Sequence, residues 1–293
     1  MISVVVPVLN GMPYIREALE SIVTQPVGVE LIVCDGGSTD GTLDVVRQFE
    51  PDVLITGPDR GQAHAINRGM ALASGPVLAW LNADDRYLPG ALETVWRSFR
   101  GDPDLHWLTG SLQHFDAAGQ VLRVMPHDRP NALAAERIFR SGARFMHNPY
   151  QAATFWTRRF WQVAGPLKER YHFCMDRRLW YAGLAHGFIA RAVPDALAAF
   201  RLHADSKTTT HKPHFELERA LIHIEIAGRA GFTLWPNLRI AHRFFRQAAL
   251  GLADWHLARG SRIRAAGWLL AGLVAQPAAV RRRLWTWRQI LLG

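Results

Sequence analysis

Residues 2–23 read ISVVVPVLNGMPYIREALESIV, and residues 31–42 read LIVCDGGSTDGT. The first stretch opens on a β-branched run, Ile2 to Pro7, and passes into a segment whose apolar residues are Ile15, Ala18, Leu19, Ile22 and Val23. That spacing is one face of a helix. Pro13 suits the first helical turn, where its missing amide leaves no hydrogen bond unmade. The pattern then repeats. Strands are expected at Leu31–Cys34, Val53–Thr56 and Val77–Leu81, with helices at Thr42–Phe49 and Gln62–Ala73 between them. After a loop over Asn82–Leu88, a helix opens at Pro89 and turns Leu92, Val95, Trp96 and Phe99 inward. A βαβα rhythm implies an α/β fold: a mostly parallel sheet flanked by helices on both faces.

Composition agrees with a folded α/β protein. The chain has 293 residues, 49% hydrophobic and 20% charged, with 11 Trp and 14 Phe to fill an interior. Disorder and low complexity are excluded. Two cysteines, Cys34 and Cys174, are too few for a disulfide framework or a cysteine zinc cluster and are compatible with a reducing cytoplasm. The first residues lack the regions of a secretory signal and read as a strand. The longest nearly uncharged apolar stretch, Ala265–Val280, is short for a spanning helix and is broken by Gln276 and Pro277.

The formal charge of +9 is placed unevenly. Beyond Phe215 twelve arginines face only Glu216, Glu218, Glu225 and Asp254. A net positive charge suits an anionic ligand, a nucleic acid or an acidic membrane, and no recognition motif for nucleic acid accompanies it. Trp235, Trp255, Trp268, Trp285 and Trp287, interleaved with arginines, fit an in-plane helix on anionic lipid. They fit equally a helical subdomain that packs its tryptophans inside.

In an open parallel sheet, ligands bind beyond the carboxyl ends of the strands. Three loops there carry carboxylates: Asp35–Thr42, Asp59-Arg60-Gly61-Gln62, and Asn82-Ala83-Asp84-Asp85. Glycines let backbone amides approach a ligand, and Asp84 offers the hard oxygen that Mg²⁺ or Mn²⁺ prefers. A metal-assisted nucleotide site fits. No G-x-G-x-x-G or G-x-x-x-x-G-K-[ST] follows the first strand, so dinucleotide and P-loop readings fail.

Three segments in order resemble the family 2 glycosyltransferases, whose catalytic domain has the nucleotide-sugar-binding GT-A fold. They are Val4–Asn10, Cys34–Thr42 and Leu81-Asn82-Ala83-Asp84-Asp85, the last matching a metal-binding D-x-D element. The resemblance covers roughly residues 1–210. It implies an inverting transferase using a UDP- or GDP-sugar donor, a sugar or lipid-linked glycan acceptor, and Mg²⁺ or Mn²⁺. Asp35 would meet the base and Asp84 the cation, while Pro7, Asn10, Gly37 and Ala83 would line the donor site. Asn82 departs from the pattern, being an amide where the common form has an aspartate; Asp85 is available to compensate. Asp59, Arg60, Gln62 and Asn67 resemble a donor-pocket segment.

On the acceptor side, a hydroxyl becomes a good nucleophile as its proton leaves, so a general base is needed. The resemblance gives that role to Asp176. It also offers His203 as a second metal ligand and Lys207 as a cation for the diphosphate, with His147 and Gln151 at the acceptor pocket. Plainer roles compete: an Asx turn for Asp35, and helix capping for Asp40 and Asp176. The expected organisation is a catalytic domain over residues 1–214, divided near 105 into donor and acceptor halves, and a basic helical extension over 215–293. A cytoplasmic protein, with peripheral attachment to the inner face of the cell membrane left open, is the expected setting. A sugar-phosphate nucleotidyltransferase would need a Gly-rich basic loop after the first strand, which VPVLNGMPY lacks. A non-catalytic membrane scaffold would need neither Asp84 nor Asp176.

Overall fold

The computed structural model describes residues 1–126, 149–204, 206–226 and 234–275. His147, Trp285 and Trp287 lie outside the described residues, and so do residues 131–140, where the sequence predicts a further helix. The first seven elements follow the sequence reading: β1 (Ile2–Val8), α1 (Ile15–Val23), β2 (Val29–Asp35), α2 (Thr42–Arg47), β3 (Val53–Ile55), α3 (Gln62–Leu72) and β4 (Val77–Trp80). β1 pairs in parallel with β2 and β4, and β2 with β3. Pro13 falls just outside α1, in the turn that leads into it, and Tyr14 is the capping residue.

The loop expected over Asn82–Leu88 contains β5 (Arg86–Tyr87), followed by α4 (Ala91–Gly101). Next come β6 (Trp107–Asp116), β7 (Val121–Met125), a short 3₁₀ turn at Gln151–Ala153, β8 (Thr154–Thr157), α5 (Arg158–Ala164), α6 (Met175–Ala185) and β9 (Arg191–Leu202). The sheet order is β3-β2-β1-β4-β8-β6-β9-β5, with β7 on β6. β8 runs antiparallel to both β4 and β6, whereas β6 and β9 are parallel. The result is a mixed sheet whose parallel strands β1–β4 are joined to β6 and β9 through β8.

The core follows from the strand faces. Ile2, Val4, Val6 and Val8 alternate toward Ile15, Leu19 and Ile22 of α1, all buried. On another face α3 lies so close to the sheet that a Cβ on Gly69 would sit 2.6 Å from Val5 Cγ1 and 2.9 Å from Cys34 Sγ. Cys34 is buried, and burial pushes its thiol up to about 11. A thiol so placed is inert at neutral pH. Trp80, Trp107, Trp156 and Trp180 are all buried together, and Trp180 stacks on Trp80 with ring centroids 6.2 Å apart. These aromatics fasten α6 to β4, β6 and β8.

Two compact units result, one carrying the described residues through His203 and the other those from Ala204 onward. The sequence boundary was expected at 214; the division precedes α7 (Lys207–Thr210) and α8 (Lys212–Ile226), so both belong to the helical unit. That unit continues with α9 (Leu234–Ala258) and α10 (Arg262–Ala275), which pack through Ala253, Ala265 and Leu269. No described helix is long and apolar enough to cross a membrane. Because a side chain at Gly69 would have to displace the buried Val5 and Cys34 side chains, Gly69→Val is expected to cost about 1–3 kcal/mol in denaturant unfolding. An unchanged midpoint would contradict the α3–sheet packing.

Candidate active site

The loops after β1 and β2 are stitched together by side chains at their tips. Asn10, at φ 52°, accepts from Thr39 N through Oδ1 (2.9 Å), and its own amide donates to Ser38 Oγ (2.8 Å). Asp40 accepts from Met12 N (3.0 Å) and Thr42 N (3.1 Å), so it ties the first loop to the start of α2. Asp35 is buried, and its carboxylate accepts from Gly37 N (2.9 Å) and Ser38 N (3.0 Å). The Asx turn is therefore present, and it shapes the loop that bears Gly37. Pro7 lies buried within β1, opposite Cys34, one residue before Val8, which pairs with Asp35.

The loop after β3 reaches the same edge. A Cβ on Gly36 would lie 2.8 Å from Asp59 Oδ2, so only glycine lets Asp59 approach the Asp35 loop. Asp59 Oδ1 accepts from Gly61 N at 2.6 Å and so shapes the entry to α3. Gln62, the first residue of α3, donates from Nε2 to Asn82 Oδ1 (2.8 Å) in the loop after β4. Ala83 of that loop faces Gly11, whose Cβ would lie 3.6 Å away. Three loops distant in sequence thus share one edge.

Arg60 and Asn67 have structural partners in the segment between α5 and α6. Arg60 Nε and Nη2 form a two-point contact with Glu169 at 2.9 and 3.0 Å, while Asn67 exchanges two 2.9 Å hydrogen bonds with the Leu167 backbone. Beside them, a Cβ on Gly61 would lie 3.7 Å from His172 Nδ1. These contacts hold segment 167–172 against the start of α3. Asp176 follows in the first turn of α6, four residues before Trp180 and its stack on Trp80. Positions i and i+4 share a helix face, so Asp176 lies one turn along α6 from Trp180. Cys174 occupies the N-cap of α6, so the capping role considered for Asp176 falls to another residue.

Asp84 and His203, the two residues expected to hold a cation, are brought together. β5 pairs antiparallel to β9, Arg86 with Ala199 and Tyr87 with Ala198, which draws the loop after β4 alongside the end of β9. His203 Nε2 lies 3.0 Å from Asp84 Oδ2 across 119 residues, with the Tyr14 ring 5.1 Å from the imidazole. Both side chains keep partial exposure, 13% and 32%. Together they offer one nitrogen and one oxygen. Among the described residues no cluster of three His, Cys, Asp or Glu supplies a complete metal shell. Such a pair fits a cation that brings most of its ligands with it, and the imidazole suits Mn²⁺ better than Mg²⁺.

Behind the pair lies a residue to which the sequence reading gave no role. Arg201 is 2% exposed. Its Nε donates to the Asp84 carbonyl (3.0 Å), its backbone N to Asp85 Oδ1 (3.0 Å), and its Nη2 is ion-paired with Glu17 of α1. Its guanidinium lies over Tyr14 and Phe115, at 4.4 and 4.2 Å from the ring centres. A buried arginine needs this full set of partners, because an unpaired charge there would be costly. The signal available in sequence was an arginine two residues before a histidine at a strand end, and its partners, Glu17 and Asp84, lie too far along the chain to read.

Asp85 is turned inward and 1% exposed, so it does not stand in for the missing first aspartate. Burial pushes its carboxyl well above the usual range, and the charge of Asp84 adds to the rise. This explains the amide at 82. Asn82 Nδ2 donates to Asp85 Oδ2 (3.1 Å) and to Gln151 Oε1 (3.3 Å), and Gln151 in turn donates to Trp80 O (2.7 Å). A carboxylate at 82 would have no hydrogen to give and would face a second acid. Lys207, in α7, belongs to the helical unit.

Asn82→Asp is therefore expected to destabilise the fold, with a sign set by linkage. Two facing buried acids have raised folded-state pKa values, so stability is retained where both are protonated and lost as pH rises through those values. The variant's loss relative to wild type should shrink from pH 8 to pH 5 in urea unfolding. A loss that grows on acidification would contradict the Asn82–Asp85 assignment.

Comparisons with known proteins converge on one family. The model of "Glycosyl transferase family 2" matches residues 3–160, more than half of the chain. A PGL/p-HBAD biosynthesis glycosyltransferase of Mycobacterium bovis (strain BCG / Pasteur 1173P2) is 30% identical over 182 residues, 60% of this chain and 66% of that protein. The match thus spans just under two thirds of that relative's length. The fold is similar to S. aureus TarS 1-349 in complex with UDP-GlcNAc, with TM-score 0.64 and 16% identity over 94% of this chain and 92% of that one. It is also similar to the mannosyltransferase PcManGT of Pyrobaculum calidifontis in complex with GDP-Man and Mn²⁺, with TM-score 0.58 and 21% identity over 100% and 80%. With the mixed sheet, the carboxylate-bearing loops and the family match in agreement, the chain belongs to glycosyl transferase family 2.

Proposed function

We propose that the chain transfers a sugar from a nucleoside-diphosphate sugar to a hydroxyl acceptor, with inversion at the anomeric carbon. The observation that carries this reading is the Asp84–His203 pair, 3.0 Å apart at the carboxyl ends of the strands and backed by Arg201. Asp84 and His203 would hold a divalent cation against the donor diphosphate, where it offsets the charge that grows on the leaving group. Donor complexes of similar folds, with UDP-GlcNAc in one and GDP-Man with Mn²⁺ in another, support a nucleotide-sugar donor.

The chain's own groups do the rest. The glycine-bearing loop shaped by Asp35, with Asn10 bracing it, borders the nucleoside, and Asp35 supplies the carboxylate that meets the base. Asp59 and Gln62 border it from the start of α3. Asp176 accepts the acceptor's proton as the hydroxyl attacks the anomeric carbon from the side opposite the diphosphate. Breaking the sugar–phosphate bond as the new glycosidic bond forms gives one displacement, hence inversion. Gln151, hydrogen-bonded to Asn82 and Trp80, borders the acceptor side. The mycobacterial relative, named a PGL/p-HBAD biosynthesis glycosyltransferase, supports a role in a biosynthetic glycosyl transfer.

Two substitutions separate the roles. Asp84→Ala, and independently His203→Ala, should reduce the tightening of UDP- or GDP-sugar binding by Mn²⁺ about tenfold or more in calorimetric titrations. Affinity that is the same with and without Mn²⁺ in both wild type and variants would count against the cation site. Asp176→Asn should leave the donor Kd within about twofold while lowering kcat by about 10²–10⁴. Equal turnover would remove Asp176 from the chemistry.

A further inference from the structure

The helical unit carries a surface unlike an ordinary solvated helix. On α10, Ala265 and Leu269 are buried against Ala253 of α9, and Trp268 packs beside them. The opposite face is exposed and apolar along its centre: Ile263 is 90% exposed and Leu270 63%. With about 100° between successive residues, these two fall within about 20° of each other around the helix. Arg262 and Arg264, both exposed, flank Ile263 at about 100° on either side. The stripe between the two large residues is kept smooth by Ala266 and Gly267, also exposed.

Charge on the neighbouring helix has the same sign. α9 exposes Arg239 and Arg243, and the one acidic residue in the sequence of α9 and α10 is the half-buried Asp254. The tryptophans divide between two uses. Trp255 is packed among His211, His214 and Arg259, and Trp268 lies against Phe245, so these two indoles serve the unit's interior. Trp235 alone of the three described is exposed, at 70%. Leu221 and Ile224 of α8 are exposed as well, at 45% and 53%, but the Ile263–Leu270 stripe holds the most exposed aliphatic residue among those described and is the one flanked by arginines on both sides, a feature that the arginine and tryptophan pattern of the sequence did not single out.

We infer that α10 docks in the plane of an anionic lipid bilayer, with Ile263 and Leu270 entering the headgroup–acyl boundary and Arg262 and Arg264 reaching lipid phosphates on either side. Arginine stems flanking an apolar stripe are suited to this arrangement, since the guanidinium can rise to the phosphates while the carbons stay in the apolar layer. Charge complementarity selects an anionic surface over a neutral one. A nucleic acid would satisfy the arginines but leave Ile263 and Leu270 in water, which is why lipid is the occupant proposed. The inference stands apart from the glycosyl-transfer reading, because no residue of the candidate active site takes part.

The test is co-sedimentation of the full chain with vesicles of phosphatidylcholine containing about 30% phosphatidylglycerol, against phosphatidylcholine alone and against a DNA duplex. Wild type should partition at least about tenfold more strongly to the anionic vesicles than to the neutral ones. Ile263→Glu with Leu270→Glu should lower that partition about tenfold or more, while far-UV circular dichroism stays unchanged because both residues are exposed. Arg262→Gln with Arg264→Gln should reduce the preference for anionic vesicles. Equal partition of wild type and the Ile263/Leu270 variant would overturn the proposal. Binding to DNA without binding to vesicles would overturn it too, as would loss in the same variant of a self-associated species with no change on lipid.

Discussion

The candidate active site depends on a buried guanidinium. Arg201 ends β9 with its backbone amide on Asp85 and its side chain on the Asp84 carbonyl and the Glu17 carboxylate. One residue therefore links the last strand, the loop after β4 and the first helix. A charge with this little exposure is tolerated only where its partners are all in place, so the contacts form together or are lost together. The consequence is positional: His203, two residues on, is delivered to Asp84 Oδ2, and neither side chain needs to be long or flexible to get there.

Asn82 shows how the same constraint shapes chemistry. A carboxylate at 85 is used internally to receive the Arg201 amide, and its neighbour must then donate rather than accept. The amide at 82 does this and carries the connection onward to Gln62 of α3 and to Gln151 beside β8. The start of α3 and the turn before β8 are thereby joined through one side chain. At the D-x-D element the chain thus has an inward-turned Asp85 held by an amide at 82, and the side chain that meets Asp84 is His203.

The donor half was legible in the sequence because its signals are local. β-branched runs, helical spacing and glycine-rich loops after strands each lie within a dozen residues, and β1 to β4 formed where that pattern points. β5 was not legible, since two residues cannot display alternation, yet its pairing with β9 is what brings Asp84 to His203. β8 and α5 were missed for a related reason: Thr154–Thr157 is a short strand buried between β4 and β6, and its residues show no period to read. Asp35, Asp84 and His203 stood out by residue type and position as candidates, and the structure brings the last two within 3.0 Å. Arg201 and Glu17 were not, because an ion pair across 184 residues leaves no trace in spacing.

In the helical unit the sequence advertised charge and indoles, while the fold spends Trp255 and Trp268 on packing and turns an isoleucine and a leucine outward. Composition identifies the kind of surface; only burial says which side chains form it. For the account as a whole, the decisive quantity is the Mn²⁺-dependent affinity for a UDP- or GDP-sugar in Arg201→Met, a change that keeps the apolar stem and removes the guanidinium. If Arg201 sets the Asp84–His203 pair, the folded variant retains cation-independent donor binding and loses about tenfold or more of the Mn²⁺-dependent part. Wild-type Mn²⁺ dependence in the folded variant would contradict it.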